Sequence, residues 1–285
     1  FRADASSVFA PKSRVGYFPS VSAAWLVTGE NFMKNQDVVS FLKLRASYGL
    51  TGNSNIGSYK YLDVYGFNER LQYQGVQGAV PMTVANPYLH WETAVMKNLG
   101  IDISFRNFLT LNVDLYSNLN KDLLLSVPLA LSSGFDSRTE NTGKIRNSGI
   151  EVQITSNNFN RKNFKWSTSL NLGHNKNVVV YLPNHEDIVV SHSQGDQIYR
   201  EGEPLYSWYM PKWLGVDPEN GNPLWEKLLY DDDGNVIGSE PGSKVDMTKD
   251  VQIVGCAQPK LTGGMLNTFN IYGLEASINL QFVYG

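Results

Sequence analysis

Apolar and polar residues alternate with a period of two along several stretches of this chain. Leu109, Leu111, Val113, Leu115 and Leu119 alternate with Thr110, Asn112, Asp114, Tyr116, Asn118 and Asn120. Phe164, Trp166, Thr168, Leu170 and Leu172 oppose Lys165, Ser167, Ser169, Asn171 and Asn175. Leu274, Ala276, Ile278, Leu280, Phe282 and Tyr284 oppose Glu275, Ser277, Asn279 and Gln281, and Ile150, Val152 and Ile154 oppose Glu151, Gln153 and Thr155. Successive side chains of a strand point to opposite faces, so each stretch reads as a strand with one apolar and one wet side. Residues 15–27, 41–49, 99–105 and 261–269 are also strand-like, although Gly263 and Gly264 interrupt the last. Residues 30–35 predict one helical turn between the first two. The segment 205–230 reads either as a hairpin about Asp217-Pro-Glu-Asn-Gly221, a strong turn signal, or as part of a long loop.

The spacing of these strands carries more than their number. Three pairs, 99–105 with 108–119, 148–157 with 163–175, and 261–269 with 274–284, meet at brief turns, while the joins between pairs are long and polar. Short connections on one side and long ones on the other predict an all-β fold: a transmembrane antiparallel β-barrel with short periplasmic turns and long extracellular loops. Strand length agrees. A strand of a soluble sandwich averages about 5–6 residues, whereas a tilted strand needs about 9–11 to cross a bilayer, and several stretches here reach that length. Phe105, Phe108, Phe159, Phe164, Trp166, Phe269 and Tyr272 gather at the short-turn ends, as an interfacial aromatic girdle requires. Eight strands, or ten with 205–230, are too few for a large barrel, so a partial barrel with raw sheet edges is expected.

Composition narrows the function. The 285 residues carry a net charge of −3 with no basic stripe, which argues against a nucleic-acid partner. No run of 18 apolar residues is present, so no transmembrane helix is expected. A single cysteine, Cys256, excludes an internal disulfide. Phe1-Arg-Ala-Asp4 has neither a basic nor an apolar signal region, and residues 278–285 run on as strand, so a piece of a longer chain is expected.

No constellation of reactive residues stands out. His90, His174, His185 and His192 lack the recurring close spacing of a zinc site. Asp231-Asp-Asp-Gly-Asn235 has the look of a calcium loop, but Val236 stands where an EF-hand needs Gly and Gly242 where it needs Glu, so a surface turn is expected. Gly49, Gly52 and Gly57 lack the Gly-Lys-Ser/Thr ending of a phosphate loop and are expected to shape a strand exit. The polar-face charges Lys43, Arg45, Asp102, Asp114, Glu151 and Glu275 scatter over separate strands and single out no carboxylate pair for glycoside hydrolysis. No catalytic residue, metal ligand or cofactor is therefore expected. The candidates for substrate contact are loop aromatics, Tyr59, Tyr61 and Tyr73 in one long connection (which also holds Tyr65) and Trp208, Tyr209 and Trp213 in another, because flat rings stack on apolar sugar faces and offer a polar handle.

Longer motifs add a resemblance. They are Phe18-Pro-Ser-Val-Ser-Ala-Ala-Trp25, Glu30-Asn-Phe-Met33, Phe41-Leu-Lys-Leu-Arg-Ala-Ser-Tyr-Gly-Leu-Thr-Gly-Asn53 with Ile56, Gly57 and Tyr59, Asn86-Pro-Tyr-Leu-His-Trp-Glu92, and Lys121-Asp-Leu-Leu124 with Pro128 and Leu129. Asn141-Thr-Gly143, Asn147-Ser-Gly-Ile-Glu151, Gly202-Glu-Pro204, Gly215-Val-Asp-Pro218 with Asn220 and Gly221, and Pro259 ahead of Gly263, Gly264 and Asn267 continue the series. In this order, over nearly the whole chain, they resemble the SusC/RagA-like family of TonB-dependent outer-membrane transporters. One departure is that Ser117-Asn-Leu-Asn120 precedes Lys121 where the family commonly carries a Thr.

The resemblance implies a plugged barrel of roughly 22 strands, of which residues 1–285 would be the C-terminal part, without the plug domain and the final strands. It implies import of oligosaccharides, sometimes peptides, energised through TonB by way of the absent N-terminal region. A SusD-like surface lipoprotein would be the partner and outer-membrane lipid the surroundings. A passive outer-membrane porin and a soluble carbohydrate-binding β-sandwich are the alternatives. If the faces are read correctly, Leu111→Arg or Leu170→Arg costs ~2–4 kcal/mol of membrane stability, and Asn112→Arg or Asn171→Arg much less. Refolding titrations into bilayers would measure this, and equal tolerance on both faces contradicts it.

Overall fold

The computed structural model describes residues 1–73, 76–106, 108–192 and 195–285, except for the side chains of 68–73, 128 and 192. Eight strands form one sheet in chain order: β1 (Ser20–Leu26), β2 (Val39–Asn53), β3 (Glu92–Phe105), β4 (Leu109–Lys121), β5 (Lys144–Asn160), β6 (Phe164–Tyr181), β7 (Leu261–Ile271) and β8 (Leu274–Tyr284). They are the eight stretches that the alternation picks out, and 274–284 coincides with β8 to the residue. Most extend past the alternating core: β5 runs 17 residues and β6 18. Residues 15–27 form two strands, Val15–Phe18 and β1, because Pro19 between them has no N–H to give to a ladder. Its carbonyl still accepts the amide of Leu50 at 2.9 Å.

The connections differ by end. Tyr272 and Gly273, at φ 50° and 87°, make the two-residue turn between β7 and β8, and positive φ at both sites gives the twist a hairpin needs. Arg106, also left-handed, lies in the β3–β4 turn, where Asn107 falls outside the described residues. Between β5 and β6, Arg161 N–H donates to the Phe164 carbonyl at 2.8 Å. At this end β1 and β2 are joined through 3-10 turns at Val27–Gly29 and Asn31–Met33, the second falling where a helical turn was expected. The other end carries the long connections, which contain hairpins of their own: Tyr65–Tyr73 with Val76–Pro81, and Leu124–Pro128 with Ser137–Asn141.

Among the described residues of the unit that holds it, the sheet has no second layer against it. Leu99 is 60% exposed, Leu115 49% and Ile278 53%. Full burial occurs instead at the long-connection end, where Phe9, Phe18 and Leu89 are buried and both phenylalanine rings pack on Trp91 at 5.5 Å. Gly52 supports this knot, since a Cβ there would stand 2.0 Å from the Phe18 ring. At the short-turn end, Trp166 stacks between Phe159 and Phe269 at 5.9 and 5.7 Å across β5, β6 and β7. Asn267, on the apolar face beside them, accepts hydrogen bonds from Trp166 Nε1 at 3.1 Å and Thr168 Oγ1 at 2.7 Å, so its side-chain oxygen is not left unpaired.

Residues 177–259 form a second compact unit. Strands Ile188–His192, Gly195–Tyr199, Ser207–Pro211 and Val251–Cys256 make one sheet; Trp213–Val216, Pro223–Tyr230 and Val236–Gly242 make another. Within 205–230, therefore, Trp213–Val216 and Pro223–Tyr230 form the hairpin about Asp217–Gly221, whereas Ser207–Pro211 is a strand of the other sheet. The hairpin turn is closed by Asp217, whose carboxylate accepts the Glu219 amide at 2.9 Å and Asn220 Nδ2 at 2.7 Å. Asp231 closes the next turn, accepting the amides of Asp233 and Asn235 at 3.1 and 2.7 Å. These bonds hold its carboxyl below the ordinary carboxylate range, Asn235 contributing most. Asp250 is buried and ties the unit together, accepting the amides of Leu228 and Asp246 at 2.9 and 2.7 Å. Asp250→Ala would strand both amides and is expected to cost about 1–3 kcal/mol locally. Amide exchange over 223–230 measures it, and unchanged protection contradicts it.

Candidate functional site on the polar face of the wall

Cross-strand register puts the polar-face residues of the sheet in rows. Arg45 on β2 lies opposite Gly100 on β3, and Gly100 opposite Asp114 on β4. Strands are spaced by about 4.8 Å, so Arg45 and Asp114 are about 10 Å apart at the backbone. The guanidinium spans that gap because the residue between has no side chain. A Cβ on Gly100 would stand 2.5 Å from Arg45 Cζ. Arg45 donates to both oxygens of Asp102 at 2.9 Å, a two-pronged pairing, and through Nη2 to Asp114 at 2.9 Å. Asn112 Nδ2 donates to Asp102 at 3.2 Å. Asp102 is 15% exposed and Asp114 27%, so these charges are only partly screened by water. One cation thus links three strands, and Glu151, opposite Asp114 in register, adds a further acidic group to the row.

Toward the long-connection end the polar face changes from charged to amide-rich. A depression of about 1020 Å³ is lined by Asn98, Tyr116, Asn118, Asn120, Asn147 and Asn175, with Arg2, Asp4, Lys97 and Glu151 also among its lining residues. Tyr116 Oη donates to Asn175 Oδ1 at 3.0 Å, and Asn175 Nδ2 donates to Asn147 Oδ1 at 3.4 Å. Each amide offers donors and an acceptor without net charge, which suits neutral hydroxyl and peptide groups alike. A second hollow of about 760 Å³ continues along the same face, past Asn112, Gln153, Asn171 and Gln281. Among the described residues no three His, Cys, Asp or Glu side chains gather where a metal ion could be held. The arrangement can bind and orient.

The loop aromatics are divided between the two units. Tyr59 and Tyr61 belong to the first unit, and Trp208, Tyr209 and Trp213 to the second. Tyr59 is 64% exposed in a left-handed backbone conformation, and Trp213 is 60% exposed. The Tyr73 side chain lies outside the described residues, as does that of His192. The Arg200 guanidinium lies 5.9 Å from the Tyr209 ring centre, and the Asp187 carboxylate, bonded to Arg200 Nε at 2.8 Å, raises the Arg200 pKa. Nearby, the Leu182 amide and then His185 hold the Glu201 carboxyl below its ordinary value. The asparagine floor was visible in the sequence only as polar positions of separate strands. Its signal is an amide recurring at matched register on neighbours, which appears once the pairing is known.

These features agree with the comparisons. The chain belongs to the TonB dependent receptor-like, beta-barrel family, whose pattern matches residues 1–242. TonB-dependent receptor P3 of Formosa agariphila is 34% identical over 100% of this chain and 30% of its own length. TonB-dependent receptor SusC of Bacteroides thetaiotaomicron is 33% identical over 82% of this chain and 25% of its own length. A structure of the RagAB peptide transporter superimposes on 98% of this chain and 30% of that chain, with a TM-score of 0.85 and 26% identity. The chain therefore spans about 25–30% of the length of these relatives.

Replacing Gly100 by Val is expected to push Arg45 off Asp114 and, like Arg45→Met, to leave uncompensated carboxylates. Each should cost roughly 2–3 kcal/mol, less than a fully buried pair because the cluster is partly exposed. Thermal unfolding in detergent reads the loss. Equal stability of wild type and Arg45→Met contradicts the role given to the cluster.

Proposed function

We propose that this chain is wall and loop of an outer-membrane importer of the SusC/RagA type, energised through TonB, which takes up oligosaccharides beneath a SusD-like surface lipoprotein. The observation that carries this is the eight-stranded sheet, whose outward apolar rows need hydrocarbon and whose reverse face gives way, beyond its charged row, to a floor rich in neutral amides. Family membership supports the transport class. In this reading the short turns face the periplasm, the long connections face outward, and the sheet is the C-terminal part of the barrel in residues 1–285. The amide floor favours a neutral, hydroxyl-rich cargo. Tyr59, Tyr61, Tyr73, Trp208, Tyr209 and Trp213 then offer rings for stacking on sugar faces. No residue here is assigned covalent chemistry. A peptide cargo is the second reading, favoured by the structural likeness to the RagAB peptide transporter.

The test is uptake of labelled oligosaccharides and of labelled peptides by cells with and without the intact protein, each with TonB present or removed. Uptake of oligosaccharide that requires both the protein and TonB is expected. Uptake that survives loss of TonB contradicts energised import and favours a passive porin; uptake of peptide alone moves the cargo to the second reading.

A further inference from the structure

The apolar face of the wall ends, toward the long connections, in cations without counter-charge. Alternation puts Lys97 of β3, Lys121 of β4 and Arg146 of β5 on the face that carries Leu99, Leu115 and Ile150. No Asp or Glu occupies a position on this face of β1 to β5. Among the described residues, Lys97, Lys121 and Arg146 make no ion pair. This is unlike the opposite face, where Arg45 is paired with both Asp102 and Asp114.

Depth places these cations at a boundary. With about 3.3 Å per residue and a tilt near 45°, Lys97, Arg146 and Lys121 stand about 19–28 Å from the short-turn end along the membrane normal. The apolar band of such a wall is about 25 Å tall. Arg146 and Lys121 thus fall where the outer leaflet's headgroups begin, and Lys97, a few ångströms deeper, can extend its long side chain to the same level. Beside them the same face has an apolar hollow of about 610 Å³, with Ala23 and Ala46 in its floor and Tyr48, Leu99 and Leu115 on its sides. It crosses four strands, a distance of about 14 Å at the usual strand spacing, and Lys97 stands at its rim.

We infer that this face binds a phosphate-bearing, acylated lipid of the outer leaflet, with an acyl chain in the hollow floored by Ala23 and Ala46 and its phosphates on Lys97, Lys121 and Arg146. The inference rests on the membrane reading above. An anionic headgroup supplies the missing counter-charge, and an acyl chain fills a groove that small residues leave open. A zwitterionic lipid would satisfy the groove but not the cations; a free phosphate would satisfy the cations but not the groove.

The test uses the intact protein in detergent with three probes: diphosphoryl lipid A, the same lipid stripped of phosphate, and inorganic phosphate. Cations at an anionic surface each contribute about fivefold, so a preference on the order of 100-fold for the phosphorylated lipid is expected. Combined Lys97→Gln, Lys121→Gln and Arg146→Gln should abolish that preference. Ala46→Phe should weaken both lipids equally and leave inorganic phosphate unchanged. Equal binding of the two lipids, or a preference that survives the triple variant, overturns the proposal. Release of the protein from membranes by buffer alone brings down the membrane reading itself; a protein that stays in membranes yet binds both lipids alike overturns only the lipid site.

Discussion

Everything in this wall depends on where the backbone hydrogen bonds are made. In hydrocarbon no water is available to satisfy an N–H or C=O, so a spanning structure must pair them within itself. The ladders from β1 to β8 do this strand by strand, in chain order. The side chains are then free of any need for a protein partner on the outer side. That is why Leu99 and Ile278 can remain more than half exposed while Phe9 and Leu89, at the end of the wall, are fully buried. A soluble sandwich with the same alternation would bury those rows against a second sheet.

The two faces carry different kinds of information. The apolar side asks only for hydrocarbon over its middle, with stacked rings at one margin and cations at the other. The polar side is specific. Arg45 crosses Gly100 to hold Asp102 and Asp114 together, and this works only with the smallest residue at the crossing point. Beyond that charged row the face is rich in neutral amides, which offer hydrogen-bond donors and acceptors without net charge. The second unit is fixed by carboxylates capping its own backbone, Asp217, Asp231 and Asp250 among them.

The strands were legible because a period of two survives in a wall that is half wet. β8 could be read to the residue, since nothing but alternation shapes it. The stretch 15–27 was read as one strand because alternation alone does not weigh the missing N–H of Pro19. The hairpins at 65–81 and 124–141 were hidden, being short and set in polar connections where no buried face imposes a pattern. At the site, the individual charges could be placed on the polar face, but their meeting could not. Arg45, Asp102 and Asp114 are 57 and 69 positions apart in pairs with Arg45, and only the β2–β3–β4 register joins them. The loop aromatics were found by residue type, which says little about where loops take them.

The most direct measurement is an accessibility scan by spin labelling along residues 109–119 of the intact protein in bilayers, in a Cys256→Ser background. Labels at 111, 113 and 115 should collide with oxygen dissolved in hydrocarbon, and labels at 112, 114 and 116 should not, giving a period of two over the strand. A flat profile, or high oxygen accessibility at 112 and 114, would show that the Leu and Val rows do not face lipid.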